Sequence, residues 1–71
     1  MTAFTHSRGV VLHRGRGLSP QEAREIEDIF TFEAKSAVKA DDWQGEQWAR
    51  GLLRELMAAQ IEAAAWLQRA A

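Results

Sequence analysis

The amino-acid sequence predicts an all-α fold, a long antiparallel helical hairpin preceded by a flexible N-terminal arm. A capping-box sequence begins the first predicted helix, and apolar residues recur at three- and four-residue intervals through two long segments. Only the short segment ADDW separates these segments, so the helices, at about 20–40 and 42–69, should lie antiparallel. A 71-residue chain has a thin core, and this chain has no cysteine for disulfides. We therefore expect two copies to dimerise into a four-helix bundle.

Residues 1–18 form the predicted arm, and residues 19–71 form the hairpin that carries dimerisation and interaction. The arm contains three of the five glycines, and its apolar run VVL at 10–12 is too short to be a stable strand by itself. No acidic residue precedes Ser19, whereas the rest of the chain has ten acidic residues and six basic ones. The arginines of the arm are Arg8, Arg14 and Arg16. A basic, flexible arm should therefore precede an acidic body.

The first helix has the most specific start signal in the chain. Ser19 is a favourable N-cap residue, Pro20 suits the first helical position, and Glu22 completes the S-x-x-E capping box. One apolar stripe follows at helical spacing, and Ile26 and Phe30 are its largest members. We expect both of these side chains to lie in the core of the bundle.

The second helix should begin next to Asp41 or Asp42, either of which can serve as its N-cap. Its main apolar seam follows a heptad pattern, and the alanines in this seam allow another helix to approach closely. The residues expected in this core are Trp48, Leu52, Leu53, Leu56, Ala59, Ala63 and Trp66. Gly51 is an interior glycine that costs roughly 1 kcal/mol relative to alanine, which suggests close approach by a neighbouring element.

A second apolar stripe lies on the same helix, roughly 100–180° around from the seam. Leu53, Met57, Ile61 and Ala64 recur there at helical spacing. The first helix can cover one of the two stripes but not both. An isolated hairpin would therefore leave Met57 and Ile61 in water, and a homodimer is the arrangement that covers them.

Several classes of function are not favoured by the sequence. No apolar run approaches the ~20 residues of a membrane span, and residues 1–17 lack the apolar core of a signal peptide, so we expect a soluble, cytoplasmic protein. Nucleophile-elbow, phosphate-loop and zinc motifs are absent from the sequence. His6 and His13 should be solvated arm residues, and Glu33 has no second group with which to act as acid or base. We expect no enzyme activity, no cofactor and no metal.

Surplus apolar and aromatic residues favour a protein-binding function. After the residues of the main seam are assigned to contacts within the chain, several tryptophan, methionine, phenylalanine and arginine residues remain, and these types are enriched at interfaces. The residues expected to bind a protein partner are Phe32, Trp43, Arg50, Arg54, Met57 and Ile61. Some of them can also serve the dimer core, and the sequence leaves both roles open. Of the two neighbouring tryptophans, Trp48 should be structural and Trp43 exposed.

The alternative function is DNA binding through the basic arm. Arg8, Arg14 and Arg16 could contact phosphates, and RGVVLHR at 8–14 could supply the strand of a ribbon-helix-helix repressor, in which a short strand precedes two helices and dimerises. The helices predicted for this chain are much longer than those of that family, and the acidic body opposes phosphate binding. Protein binding is therefore the favoured hypothesis.

The segment WQGEQWARGLL at 43–53 resembles the helical quorum-sensing anti-activators of pseudomonads. The whole pattern, a tiny cysteine-free chain with a short arm and a long helical hairpin, is similar to the small anti-activator and host-takeover proteins of bacteria and their phages. The likeness in sequence covers only residues 43–53, and no site residue is carried over from it. The resemblance implies a dimer that binds a transcription factor or another protein of a bacterial host cell and blocks it sterically.

Overall fold

The computed structural model describes residues 3–70 and places three strands before two helices. The elements are β1 (Phe4–Ser7), β2 (Val10–His13), β3 (Arg16–Gly17), α1 (Pro20–Lys39) and α2 (Trp43–Ala70). The strands form one antiparallel sheet in the order β1-β2-β3. The prediction of an all-α protein is therefore wrong, and a helical hairpin with a flexible arm does not describe the fold. Residues 1, 2 and 71, which the predicted arm and hairpin include, lie outside the described residues.

Two Arg-Gly pairs form the turns that fold the N-terminal segment into a sheet. Arg8 and Gly9 have φ angles of 50° and 82°, and Arg14 and Gly15 have φ angles of 52° and 83°. Positive φ at both central residues is the mark of the two-residue hairpin turn whose twist matches the flanking strands. Glycine adopts this conformation without steric penalty, whereas arginine adopts it at a cost. Two of the three glycines that suggest a flexible arm, Gly9 and Gly15, are thus required by tight turns.

Reciprocal hydrogen bonds fix the start of α1. Ser19 Oγ accepts from the backbone N–H of Glu22 at 3.1 Å, and Glu22 Oε1 accepts from the backbone N–H of Ser19 at 3.0 Å. The predicted capping box is therefore confirmed. The hydrogen bonds from the backbone and hydroxyl of Ser19, together with the charge of Arg16, lower the pKa of Glu22 below its ordinary value.

Residues 40–42 join the helices and satisfy backbone groups at both helix ends. Asp41 has a φ of 56°, and the backbone N–H of Asp42 donates to the Ala37 carbonyl at 2.8 Å, as in a Schellman motif. Asp42 is also the N-cap of α2, since its Oδ1 accepts from the backbone N–H of Gly45 at 3.0 Å. A Cβ atom at position 45 would collide with this carboxylate, so the glycine preserves the cap. The tight connection brings α2 back along α1.

The core lies where one face of the sheet packs on the helices. Its buried residues come from β1, β2, the segment before α1 and both helices: Phe4, Val11, Leu18, Ala23, Leu56, Ala59 and Ala63. The Phe4 ring stacks on His13 with centroids 4.7 Å apart and meets Phe30 edge-on at 6.4 Å. The segment expected to be a flexible arm therefore contributes side chains to the core.

Candidate functional site

One side of the helix pair carries large apolar side chains that the sheet does not cover. The sheet packs on the part of α2 that contains Leu56, Ala59 and Ala63. Among the apolar residues outside that cluster, we name five on this side of the helix pair the open face: Phe32, Val38, Leu53, Met57 and Ile61. All of them are exposed except Leu53, which is half-buried.

A groove between α1 and α2 forms one end of the open face. Its volume is about 530 Å³. The residues that line it come from both helices: Thr31, Phe32, Ala34, Lys35, Ser36, Val38, Lys39, Arg50 and Leu53. Met57 and Ile61 continue from Leu53 along α2 at four-residue spacing, so they lie on the same side of the helix. Phe32 and Ile61 are 69% and 66% exposed, which leaves most of their apolar surface available for binding.

The groove has a basic rim around its apolar floor. Lys35, Lys39 and Arg50 are among its lining residues. Arg50 Nε lies 2.8 Å from Glu46 Oε2, which offsets one of these three charges. The rim is therefore positive on a chain whose net charge is −1. A partner with acidic residues around an apolar centre would complement this arrangement.

The chain exposes more surface than a compact monomer of its mass. Its accessible surface is 5409 Å², whereas a compact protein of 8.0 kDa exposes about 4,450 Å². Its Cα radius of gyration is 13.3 Å, against about 11 Å for a compact domain of this length. The excess of roughly 950 Å² is close to the ~800 Å² that one partner contributes to a standard interface.

The first turns of α2 agree with the expectation for Trp43, which is exposed, but not with that for Trp48. Trp43 is 69% exposed, and Trp48, which was expected in the core, is 61% exposed. The Trp48 indole packs nearly perpendicular to the Phe30 ring, with centroids 5.8 Å apart, and most of its surface stays exposed. A Cβ atom at Gly51 would meet no atom within 4 Å among the described residues, so the expected close approach is not made there within the chain. Both tryptophans are therefore accessible to a partner.

The other residues predicted for the core differ in burial. Leu56, Ala59 and Ala63 are buried within the single chain. Five more residues are half-buried: Ile26, Phe30, Leu52, Leu53 and Trp66. Because the sheet and α1 already cover the main seam of α2, that seam is not available to a second copy, whereas the open face is.

The arginines of the DNA-binding alternative lie around the small sheet. Arg8 and Arg14 occupy the turns at opposite ends of β2, about 16 Å apart for a strand of this length. Arg16 lies in β3, with its Nη2 atom 3.9 Å from Glu22 Oε2. β2 is paired with β1 on one side and with β3 on the other, so it has no free edge for a second copy. The ribbon-helix-helix arrangement, which requires that edge, is therefore not supported.

The histidines and Glu33 occupy ordinary structural positions. His6 and His13 lie in β1 and β2, and His13 packs on Phe4. Glu33 is exposed on α1. Within residues 3–70, no three histidine, aspartate or glutamate side chains are placed to hold one metal ion.

Sequence reasoning did not identify Phe4, Val11 and Leu18 as core residues, although all three are buried. A signal for them exists in the spacing of the first two Arg-Gly pairs, Arg8-Gly9 and Arg14-Gly15. The four residues between the pairs are β-prone, and each pair has the length of a hairpin turn. Arginine at the first turn position obscures this signal, because asparagine or aspartate is the residue expected before glycine.

No protein-family model, curated protein or solved structure matches this chain. Neither helix of the described residues is long and apolar enough to cross a membrane. The open face, with its exposed apolar floor and basic rim, is thus the feature that bears most directly on function.

Proposed function

We propose that this chain is a small non-catalytic regulator that acts by binding another protein, as an inhibitor or anti-activator in the cytoplasm of a bacterial cell. The observation that carries the proposal is the open face, where large apolar side chains of both helices lie together and stay exposed. Contiguous apolar surface of this kind marks interaction sites on small proteins. Binding at this face would block the partner by covering its own interaction surface.

An amphipathic helix with acidic flanks is the partner that fits the groove best. Its apolar side would lie on Phe32 and Leu53, as in other helix-in-groove complexes. Acidic residues beside that apolar side would lie opposite Lys35 and Lys39. The charges would set the orientation and the association rate, and the apolar contacts would supply most of the affinity.

Two copies of the chain can also pair through the end of the open face that contains Met57 and Ile61. An antiparallel pairing of α2 with its copy around these residues places the two grooves at opposite ends of the dimer. The basic rims then stay apart, and each groove remains free. Dimerisation and partner binding are therefore compatible.

Two variants test the two interactions separately: Phe32→Glu tests partner binding in the groove, and the double substitution Met57→Glu with Ile61→Glu tests dimerisation. Each new carboxylate would be buried without a partner, so the corresponding affinity should fall by about 30-fold or more. Affinity capture from the lysate of the native host, with the parent chain and both variants as baits, measures partner binding. Sedimentation equilibrium of the same three proteins measures dimerisation.

Ile29→Glu is the matched control, because Ile29 is also an exposed apolar residue but lies about 180° around α1 from Val38 of the open face. This variant should capture the same proteins as the parent chain and should dimerise equally well. Capture of those proteins by Phe32→Glu would contradict the proposed partner site, and unchanged dimerisation of the Met57/Ile61 double variant would contradict the proposed dimer contact. Recovery of nucleic acid alone by the parent chain would favour DNA binding instead.

A further inference from the structure

The outer edge of β1 is unpaired within the part of the chain that the structure describes. β1 pairs only with β2, and Ser7 lies opposite Val10 beside the two-residue turn. Residues that flank such a turn exchange hydrogen bonds, and the bonding then alternates along the strand. Thr5 and Ser7 therefore direct their backbone groups towards β2, whereas Phe4 and His6 direct theirs outward. This edge can accept another extended chain.

A groove of about 350 Å³ lies between this edge and α2. The residues that line it are Phe4, Thr5, His6, Glu55, Ala58, Ala59 and Glu62. Its floor is mostly apolar, and the small side chain of Ala58 leaves room for a backbone beside β1. A chain that joined the sheet at this edge would place alternate side chains in the groove.

The charged residues of this groove are acidic. Glu55 and Glu62 line it, and His6 is the other titratable residue in its lining. Glu55 is half-buried and accepts from the backbone N–H of Ala3 at 3.2 Å, whereas Glu62 is exposed. The two carboxylates are seven residues apart on one face of α2, about 10 Å along the helix axis. They therefore present negative charge along the length of the groove.

We propose that the groove beside β1 binds an extended peptide segment rich in lysine or arginine, which adds to the sheet as a fourth strand. The outward N–H and C=O groups of Phe4 and His6 supply the backbone hydrogen bonds, and Glu55 and Glu62 select positive side chains. A second copy of β1 fits less well, because its sequence FTHS has no lysine or arginine to meet these carboxylates. The site is separate from the open face, whose basic rim suits an acidic partner.

Titration of the full ¹⁵N-labelled chain with a blocked eight-residue peptide of alternating lysine and valine tests this proposal. At a free peptide concentration ten times Kd, amide exchange at Phe4 and His6 should slow about tenfold, because exchange then requires peptide release. A matched peptide of alternating glutamate and valine should leave both amides unchanged. Glu62→Lys should weaken binding of the lysine peptide about threefold to tenfold. Glu25→Lys, an equal change of charge at an exposed position of α1, should not weaken it.

Four results would overturn the proposal. Two of them are equal binding of both peptides and no change at Phe4 and His6 with millimolar lysine peptide. The third is a change on adding peptide that is confined to Met57 and Ile61. The fourth is protection of the β1 amides that rises with protein concentration in the absence of peptide, because this result would assign the edge to a second copy. Because the open face and this groove share no residue, failure at one site leaves the other proposal standing.

Discussion

Replacing Phe4 by alanine measures how much the sheet contributes to the stability of the fold. Phe4 is 4% exposed and contacts both His13 and Phe30. It belongs to a segment whose sequence predicts a flexible arm, in which the same substitution would have almost no effect. Phe32→Ala is the matched control, because it removes the same side chain from an exposed position.

Burial of the Phe4 ring determines how much free energy of unfolding the Phe4→Ala substitution removes. Truncation of a buried phenylalanine to alanine costs about 3–5 kcal/mol, from lost apolar transfer and from the cavity left behind. We expect about 3 kcal/mol for Phe4, because a short sheet can partly collapse into the space. A domain of this length has a free energy of unfolding of roughly 4–11 kcal/mol, so the loss is a large share of it. Phe32→Ala should change the free energy by less than about 0.5 kcal/mol.

Urea denaturation followed by circular dichroism and by tryptophan fluorescence measures both variants. All three tryptophans lie in α2, so fluorescence reports on the helix that the sheet packs against. A loss of about 3 kcal/mol corresponds to a fall in Tm of about 12–24 °C for a domain of this size. Measurements at two protein concentrations separate folding from dimerisation, because a dimer that buries Phe32 would make the cost of its variant depend on concentration.

Equal and small losses for the two variants would refute this reasoning. Such a result would mean that residues 4–17 do not belong to the cooperatively folded unit, and that the helices are stable without the sheet. A loss for Phe4→Ala of several kcal/mol, with little change for Phe32→Ala, would establish the sheet as part of the core.

Further substitutions test the turns, the interior of α2 and the cap of α1. Gly9→Ala should lower the Tm more than Gly15→Ala. Both positions have positive φ, but only at Gly9 would a Cβ atom collide with Leu67. Equal losses of Tm would mean that the first turn does not pack on α2. Gly51→Ala should raise the free energy of unfolding in urea by about 1 kcal/mol, because its Cβ would meet no atom of the described chain, and a decrease would indicate a closely packed partner. Because the pKa of Glu22 is lowered in the folded protein, its ionised carboxylate stabilises the fold at pH values above the ordinary glutamate pKa. This stabilisation is lost as the pH falls through the lowered pKa. The difference in Tm between the parent and Glu22→Gln should therefore shrink as the pH falls from 7 to 3, and a constant difference would contradict this linkage.

The helices and the start of α1 could be predicted because their signals are local. Predicted bounds of about 20–40 and 42–69 compare with Pro20–Lys39 and Trp43–Ala70 in the structure. Ser19, Glu22 and Asp42 act on backbone groups within three residues of themselves, so their roles follow from their positions in the sequence. The second apolar stripe of α2 was also visible in the sequence, because helical periodicity alone determines which residues share a side.

The sheet and the burial of individual side chains were decided by the tertiary structure. A four-residue strand such as β2 is not stable alone, and it persists because Phe4 and Val11 pack on helices far along the chain. Trp48 follows the apolar periodicity of a core residue, yet it lies at the margin of the helix pair, where nothing covers most of its ring. Local patterns therefore specify which residues form helices and which sides are apolar. Contacts between distant segments, such as the one between Phe4 and Phe30, decide which of those sides is covered and leave the open face available to a partner.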